Sequence, residues 1–514
     1  MKSVISALCT LCLCQGLWGQ ADMQTFLELP EFSLERVDVE AQLRFLSSDA
    51  LGGRRTGSPG NDIAAQFLSD HFRAYGLSTP PGQDHYFQQI TFVSNTPPTT
   101  AELTLDKATY SQGGDLLVIV GEAAKFDSPM AYAGFGWVDE AKGHNDYKGL
   151  DVKGKIVLVD AGIPDGKDPL TIFKSMAKKR KMAAERGALA LFELYQLNVP
   201  WQFFTSYFGK PNLRLASESD DDVDKPTIPY GWVKTLPDGL LEQLKDKKKR
   251  KKLKASLVSS ASVKNEVYSN NVCGIIEGRD EELKKEYILL SAHYDHVGMG
   301  KEGGGAFTPA DSIFNGTRDN AMGTVALLSA AKSLAKRRPL RSVIVLAVTG
   351  EEIGLLGSAY YAEYPLIPLE QTVFNFNTDG AGYNDTTSVS VVGFGRTGVD
   401  EQIKAGASPF GLKVLDDPAP EQNLYDRSDN ASFAKKGVPA VNFSPGIAAF
   451  DETLLKYYHQ VADEAESVDF DYFLKYCKAY VHTARILADR QERPQWTAGD
   501  KYEQAGKKLY DGKE

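Results

Sequence analysis

An uninterrupted run of six apolar residues, Val343–Val348, is rich in β-branched side chains and is closed by Thr349 and Gly350. Such a run predicts a strand that is buried on both faces. Shorter apolar runs at 287–290 and 373–376 predict two further strands. These strands alternate with helical patterns at 323–334 and 469–490, and the alternation predicts an α/β fold with three layers and a mixed, mostly parallel sheet.

Acidic and imidazole side chains follow these apolar runs or precede the helical ones. In chain order they are His293, Asp295, Asp319, Glu351, Glu352, Asp379 and His459. In open α/β sheets, ligands bind outside the carboxyl ends of the strands, so we expect these side chains to meet at one edge. A lone Glu-Glu pair is usually solvated, whereas this combination predicts a metal site.

Length and charge limit the possible classes of protein. A chain of 514 residues exceeds the size at which one hydrophobic core keeps growing, so two domains are expected. Apolar content of 42% and charged content of 25% are ordinary for a globular protein. A net charge of −10 argues against nucleic acid as a partner. No surface pattern in the sequence predicts an oligomeric state.

Residues 1–20 have the pattern of a signal peptide. Lys2 is their only charge, and an apolar run extends from Val4 to Trp18. We therefore expect an exported protein, periplasmic or secreted, with a lipoprotein anchor as an alternative. No later stretch has the roughly 18 consecutive apolar residues of a transmembrane span. Cleavage would leave Cys273 and Cys477, which could pair or remain thiols.

Five short motifs together resemble the family of di-zinc aminopeptidases, which includes leucyl-type aminopeptidases, glutamate carboxypeptidases and glutaminyl cyclases. The motifs are His293-Tyr294-Asp295, Asp319-Asn320-Ala321, Gly350-Glu351-Glu352, the Asp379 segment and Tyr458-His459, in family order. The resemblance extends to the N-terminal segment around Leu51–Gly57. It implies a three-layer α/β/α zinc-peptidase domain.

The resemblance also implies a ligand set for two Zn²⁺ ions. Asp319 would bridge the ions, His293 and Asp379 would complete one site, and Glu352 and His459 would complete the other. The remaining histidines, namely His71, His85, His144, His296 and His482, are expected to be surface or core residues rather than ligands.

Three further roles follow from the resemblance. Glu351 would act as the general base, Asp295 would orient the ligand His293, and Tyr458 would stabilise the oxyanion. Tyr457 and Tyr425 could instead occupy the space given to Tyr458. Ser428-Asp429-Asn430 resembles a segment that lines the substrate side, with asparagine in place of the family's usual histidine.

The expected domain organisation follows the same resemblance. It comprises a signal peptide (1–20), an N-terminal part of the peptidase domain (21–100), a small β-rich insert similar to a protease-associated domain (101–263), the catalytic domain (264–491) and a polar C-terminal tail (492–514). The insert carries no catalytic constellation. The resemblance implies a role in substrate access or partner contact, and a purely structural lid is the alternative.

The preferred functional hypothesis is an aminopeptidase that acts on peptide substrates. A carboxypeptidase is the nearest alternative, since Arg318 and Arg427 could contact a substrate carboxylate. A glutaminyl cyclase would use one zinc ion. A binding protein on the same architecture would be expected to lack ligands, and here the full set is present.

Overall fold

The computed structural model describes residues 28–216, 228–246 and 248–512. The predicted signal peptide lies outside the described residues. The chain divides into two compact units. One contains the residues up to Ile90 together with those from Ser269 onward, and the other is Thr91–Tyr268.

The strands were assigned in chain order. They are β1 Phe87–Thr96, β2 Ala101–Leu105, β3 Ala108–Ser111, β4 Leu116–Val120, β5 Ala124–Tyr132, β6 Val138–Asp139, β7 His144–Asn145, β8 Ile156–Asp160, β9 Ala190–Leu194, β10 Asn212–Leu215, β11 Tyr230–Val233, β12 Lys254–Ser259, β13 Val263–Ile276, β14 Tyr287–His293, β15 Gly298–Met299, β16 Ile313–Phe314, β17 Ser342–Val348, β18 Thr372–Thr378, β19 Ser388–Val392, β20 Lys413–Leu415 and β21 Ala440–Pro445.

The α-helices follow the same convention. They are α1 Arg36–Leu46, α2 Pro59–Ala74, α3 Pro169–Glu185, α4 Trp201–Phe208, α5 Leu240–Lys245, α6 Met322–Lys336, α7 Leu356–Glu363, α8 Asp400–Ala407, α9 Asn430–Lys435, α10 Glu452–Leu455, α11 Phe470–Asp489 and α12 Glu503–Asp511. The strands β14, β17 and β18 and the helices α6 and α11 correspond to the elements predicted from hydrophobic periodicity.

The sheet of the first unit has the strand order β1-β13-β17-β14-β18-β21-β19-β20. Strand β14 pairs in parallel with both β17 and β18, and β18 pairs in parallel with β21. The pairs of β13 with β17 and of β19 with β21 are antiparallel. The expectation of a mixed, mostly parallel sheet is therefore confirmed, and its central strands β17, β14 and β18 end at the same edge.

Strand β17 shows why the sheet is the middle of three layers. Val343, Val345 and Ala347 belong to the core on one face, with α1, α2, α6 and α11. Ile344, Leu346 and Val348 belong to the core on the other face, with residues of α7 and α9. Because side chains alternate along a strand, six consecutive apolar residues supply three to each core.

The second unit is built around an eight-stranded sheet of its own, in the order β3-β2-β12-β5-β8-β9-β11-β4. Apolar cores cover both faces of this sheet. Lys179 and Glu193 form a buried ion pair of 2.5 Å, and the Tyr230 hydroxyl donates to the same carboxylate. The predicted insert at 101–263 lies inside this wider unit, and its identity as a protease-associated domain stays a prediction.

Burial decides the state of the two cysteines and of the C-terminal segment. Cys273 and Cys477 are both buried free thiols, so they do not pair. The segment from residue 492, expected to be a polar tail, contains α12, and Trp496 is buried. The tail prediction was wrong in this respect because the Trp496 indole packs into a small core and donates its N–H to the carbonyl oxygen of Gly437. Within the described ranges, no helix is long and apolar enough to cross a membrane.

A buried ion pair ties the N-terminal segment to α11. The Glu31 carboxylate is fully buried and accepts hydrogen bonds from the Arg485 guanidinium at 2.7 and 3.0 Å. His482 Nδ1 lies 3.0 Å from the same carboxylate. Burial alone would raise the pKa of Glu31, but the hydrogen bonds from His482 and Arg485 outweigh it and lower the pKa below the ordinary 4.5.

We predict that Glu31→Gln reduces the free energy of unfolding by about 3 kcal/mol, because it leaves the Arg485 charge buried without its counterion. Since the folded-state pKa is depressed, the stabilisation is present above pH 4.5 and is lost as the pH falls below that value. Urea denaturation at pH 7 and at pH 4 would measure both effects. The control is Asp471→Asn, which removes an exposed ion pair with Arg36 and should change little.

Candidate metal centre

The central strands of the first unit deliver polar side chains to one edge of the sheet. His293 is the last residue of β14, Asp379 follows β18 directly, and Glu351 and Glu352 follow β17 after a short turn. Asp319 lies in a π-helical turn at 317–321, ahead of α6, and His459 lies in the loop after α10. Parallel pairing of adjacent strands is what brings residues so distant in sequence together.

The first group of donors centres on His293. Its Nε2 atom lies 3.1 Å from Asp379 Oδ1 and 3.3 Å from Asp319 Oδ1. Asp379 is held by the Ser428 hydroxyl, which donates to its Oδ2 atom at 2.5 Å. A donor atom of Glu351 also lies within 4.8 Å of those of His293 and Asp379. The imidazole and both aspartates are therefore arranged around one point.

The second group centres on His459. Its Nε2 atom lies 3.1 Å from Asp319 Oδ2 and 3.2 Å from Glu352 Oε2. Because the two oxygens of Asp319 face two different imidazoles, this carboxylate lies between the two groups. The structure thus brings together all five residues expected to be metal ligands.

The electrostatics of the second group reflect close contact between opposite charges. Burial alone would lower the pKa of His459, but Glu352 and Asp319 outweigh it and raise that pKa to about 11. Burial and Asp319 would raise the pKa of Glu352, yet His459 and His296 hold it at about 2. The carboxylates that stabilise a proton on His459 would stabilise a divalent cation in place of that proton.

Glu351 differs from its neighbour Glu352. Burial, together with the charges of Asp379 and Glu352, raises its pKa well above that of an ordinary glutamate, while His293 acts in the opposite direction. Its backbone N–H donates to Asp295 Oδ1 at 3.3 Å. Glu351 therefore lies at the site as a carboxylate that favours a proton.

Asp295 is buried directly behind His293. Its Oδ1 atom lies 3.7 Å from His293 Nδ1, and its backbone oxygen is closer, at 3.2 Å. Its Oδ2 atom accepts a hydrogen bond from the Thr56 hydroxyl at 2.9 Å. These contacts fit a residue that orients the imidazole, with the main chain as the nearer acceptor.

Tyr458 lines the cleft, and the two tyrosines that could have replaced it are engaged elsewhere. The Tyr457 ring lies 3.8 Å from the guanidinium carbon of Arg318. The Tyr425 hydroxyl donates to the carbonyl oxygen of Ala440. The Tyr458 ring stacks against His459, with ring centroids 4.2 Å apart, and lines the cleft together with Glu351.

His296 was expected to be a surface or core residue rather than a ligand, and the structure places it beside the expected ligand Glu352. Its side chain is buried, and its Nδ1 atom lies 2.6 Å from Glu352 Oε1. It groups with Asp319, Glu352 and His459 as a possible metal-binding residue. The signal in the sequence was its position three residues after His293, where an irregular segment after a strand can turn a second imidazole toward the same site.

A cleft of about 330 Å³ opens beside these groups. Its lining combines the carboxylates and His459 with apolar side chains, including those of Val392, Leu424, Ile447, Phe450 and Leu455. Asn430 does not line it. This residue is fully buried and donates to the carbonyl oxygen of Tyr425. Of the segment 428–430, which was expected on the substrate side, Ser428 lines the cleft.

The donor set meets the requirements of two zinc ions. Zinc binds imidazole nitrogen and carboxylate oxygen, and paired ions in hydrolytic sites share a bridging ligand. Within the described residues, the two groups each contain imidazole and carboxylate donors within 4.8 Å of one another, and Asp319 faces both. The residues fit, and together with the α/β sheet they define a two-metal hydrolase type of site.

Comparison with known proteins supports the resemblance found in the sequence. Residues 271–484 match the model of Peptidase family M28. The di-zinc aminopeptidase family expected from the sequence is therefore confirmed. The matched segment contains all the metal-site residues described above.

Similar individual proteins differ in how much of the chain they match. The vacuolar membrane protease of Saccharomyces cerevisiae is 35% identical over 166 residues, which cover 31% of this chain and 14% of that protein. Aminopeptidase YwaD of Bacillus subtilis is 25% identical over 432 residues, which cover 82% of this chain and 78% of that protein. The solved structure of an aminopeptidase from Aneurinibacillus sp. strain AM-1 has a TM-score of 0.60 at 20% identity, and the match covers 91% of this chain and 98% of that one. This similarity confirms the fold.

We predict that His459→Ala lowers the zinc content from two ions per chain to about one, because it removes the only imidazole within 3.3 Å of both Asp319 Oδ2 and Glu352 Oε2 among the described residues. Inductively coupled plasma mass spectrometry after dialysis would measure the metal content. The control is His85→Ala, which changes an exposed histidine outside the site. Unchanged zinc in the His459 variant would contradict the ligand assignment.

Proposed function

We propose that this protein is a zinc-dependent aminopeptidase that removes N-terminal residues from peptides. The observation that carries the proposal is the position of Glu351, whose carboxylate lies beside two donor groups that share Asp319. A carboxylate in this position can accept a proton from the attacking water during hydrolysis. The curated relative YwaD, which matches most of both chains, is an aminopeptidase and supports the same activity.

The chain's own residues have distinct tasks in the proposed reaction. Bound zinc would polarise the scissile carbonyl and make water more acidic. Glu351 accepts a proton from the attacking water and delivers it to the nitrogen of the leaving amine. Asp295 keeps the His293 ring oriented, and the Tyr458 hydroxyl donates a hydrogen bond to the oxygen that gains negative charge.

The cleft wall supports apolar side chains at the N-terminal position of the substrate. The carboxylates that line the cleft are those of the expected ligands Asp319, Glu352 and Asp379 together with that of Glu351, and the remaining lining residues are largely neutral. An aliphatic or aromatic side chain would bury apolar surface against Val392, Ile447 and Phe450. The apolar run of residues 4–18 supports export, so the substrates would be peptides outside the cytoplasm.

A carboxypeptidase remains the second candidate, and Arg427 is the observation that favours it. Arg318, the other arginine considered from the sequence, is committed to Asp463 through a 2.8 Å ion pair. Arg427 is exposed and is the only lysine or arginine lining the cleft among the described residues. An arginine in this position could bind a substrate carboxylate.

The two candidates differ in the end of the peptide that they attack. We expect purified protein to release single N-terminal residues from Leu-Phe-Ala peptides and to leave their N-acetylated copies intact. A chelator should abolish the release and added zinc should restore it, because the carbonyl is no longer polarised without the metal. Mass spectrometry of the products would identify the trimmed end.

The acetylated peptides provide the decisive control. Trimming of the C-terminal residue, irrespective of acetylation and prevented by C-terminal amidation, would contradict the aminopeptidase proposal and support the carboxypeptidase. Hydrolysis that persists in excess chelator would contradict a metal-dependent reaction of either kind.

We predict that Glu351→Gln lowers kcat by roughly 10²- to 10⁴-fold while the zinc content stays at two ions, because the variant loses the proton acceptor but retains the ligands. Steady-state kinetics with a fluorogenic aminoacyl amide would measure the rate, and metal analysis would measure occupancy. Glu370→Gln, at an exposed position, is the control. A variant with the wild-type rate would show that Glu351 is not the base.

A further inference from the structure

We infer that His296 is a positioning residue that holds Glu352 in the orientation needed for the second metal ion. The inference rests on the proposed function, since it assumes that Glu352 is a ligand. It goes beyond that function because it assigns a role to a histidine that is outside the expected ligand set.

The contact between the two side chains carries the inference. His296 Nδ1 lies 2.6 Å from Glu352 Oε1, a hydrogen-bond distance. The other oxygen, Glu352 Oε2, lies 3.2 Å from His459 Nε2. Each oxygen of the Glu352 carboxylate therefore contacts a different imidazole. Oε1 contacts His296, and Oε2 contacts the expected ligand His459.

The His296 ring is fixed by packing and backbone contacts. Its side chain is 1% exposed, and its ring lies edge-on to that of His459, with centroids 5.4 Å apart. Its backbone N–H donates to the carbonyl oxygen of Arg54 at 3.3 Å. At Gly316, which has a φ of +57°, an added Cβ would lie 2.4 Å from the ring atom Cγ, so only glycine leaves room for the ring.

Its hydrogen-bond geometry favours an orienting role over direct ligation. The Nδ1 atom points at the carboxylate, and Nε2 is buried without a hydrogen-bond partner among the described residues. A hydrogen bond from Nδ1–H to Glu352 Oε1 limits the rotation of that carboxylate. Asp295 has the corresponding position behind His293, so the segment 293–296 supports both halves of the site.

The experiment compares two substitutions at this position. His296→Leu removes the donor and retains much of the volume, whereas His296→Asn places an amide N–H near the position of Nδ1. We expect the leucine variant to bind the second zinc ion roughly 10- to 100-fold more weakly. This is the usual effect of removing a hydrogen bond that a neighbouring residue makes to a metal-ligating side chain. We expect the asparagine variant to recover most of that affinity.

Zinc affinity would be measured by competition with a chromophoric chelator, and stoichiometry by metal analysis. Thermal unfolding of the metal-free proteins would separate metal binding from a general loss of stability. The control is His482→Leu, because His482 is also a buried imidazole whose Nδ1 faces a carboxylate, that of Glu31, but it lies outside the metal site. It should lower stability and leave both zinc affinities unchanged.

Selective weakening of one zinc ion in the leucine variant, with recovery in the asparagine variant, would support the inference. Unchanged affinity for both ions would overturn it, as would equal weakening of both or failure of asparagine to recover affinity. Wild-type protein that binds fewer than two zinc ions would contradict the proposed function itself, so the two failures can be told apart.

Discussion

Repulsion among closely spaced carboxylates is the constraint on which the rest of the site depends. The carboxylates are Asp319, Glu351, Glu352 and Asp379, and all four line one cleft. Charges of the same sign in a buried site are costly unless positive groups or hydrogen-bond donors compensate them. His293 and His459 face these carboxylates, and the pKa values of both imidazoles are raised as a result. The same excess of negative charge makes the site favourable for divalent cations.

The loops that carry these groups need a rigid support, and Arg54 provides much of it. Its guanidinium donates to the carbonyl oxygens of Tyr294, Asn315 and Gly316, which lie next to the segments bearing His293 and Asp319. Burial lowers the pKa of Arg54 to about 10, while nearby carboxylates act in the opposite direction. Its positive charge therefore lies near the carboxylates of the site. Its hydrogen bonds satisfy backbone carbonyl groups that the irregular loops would otherwise bury without a partner.

The turn after β17 explains how two adjacent glutamates acquire different properties. Glu352 contacts His296 and His459, which hold its pKa at about 2, whereas Glu351 lies beside Asp379 and has a raised pKa. One carboxylate remains ionised and suits a ligand, whereas the other binds a proton more readily and can take part in proton transfer. Separation of pKa values between neighbouring carboxylates is a general way to assign them different chemical roles.

The sequence by itself determined the central strands and the helices α6 and α11, because apolar periodicity is a local signal. Its resemblance to a known family supplied five candidate ligands, and the structure brings these five side chains together. The sequence did not determine the role of His296, the burial of Asn430 or the helix within the supposed tail. Those depend on which segments meet after folding: His296 acquires its partner only because β14 and β17 end side by side. Likewise, only the tertiary structure distinguishes Arg318, paired with Asp463, from Arg427, which faces the cleft. Hydrophobic patterning is local in sequence, whereas the partners of polar side chains are set by contacts between distant segments.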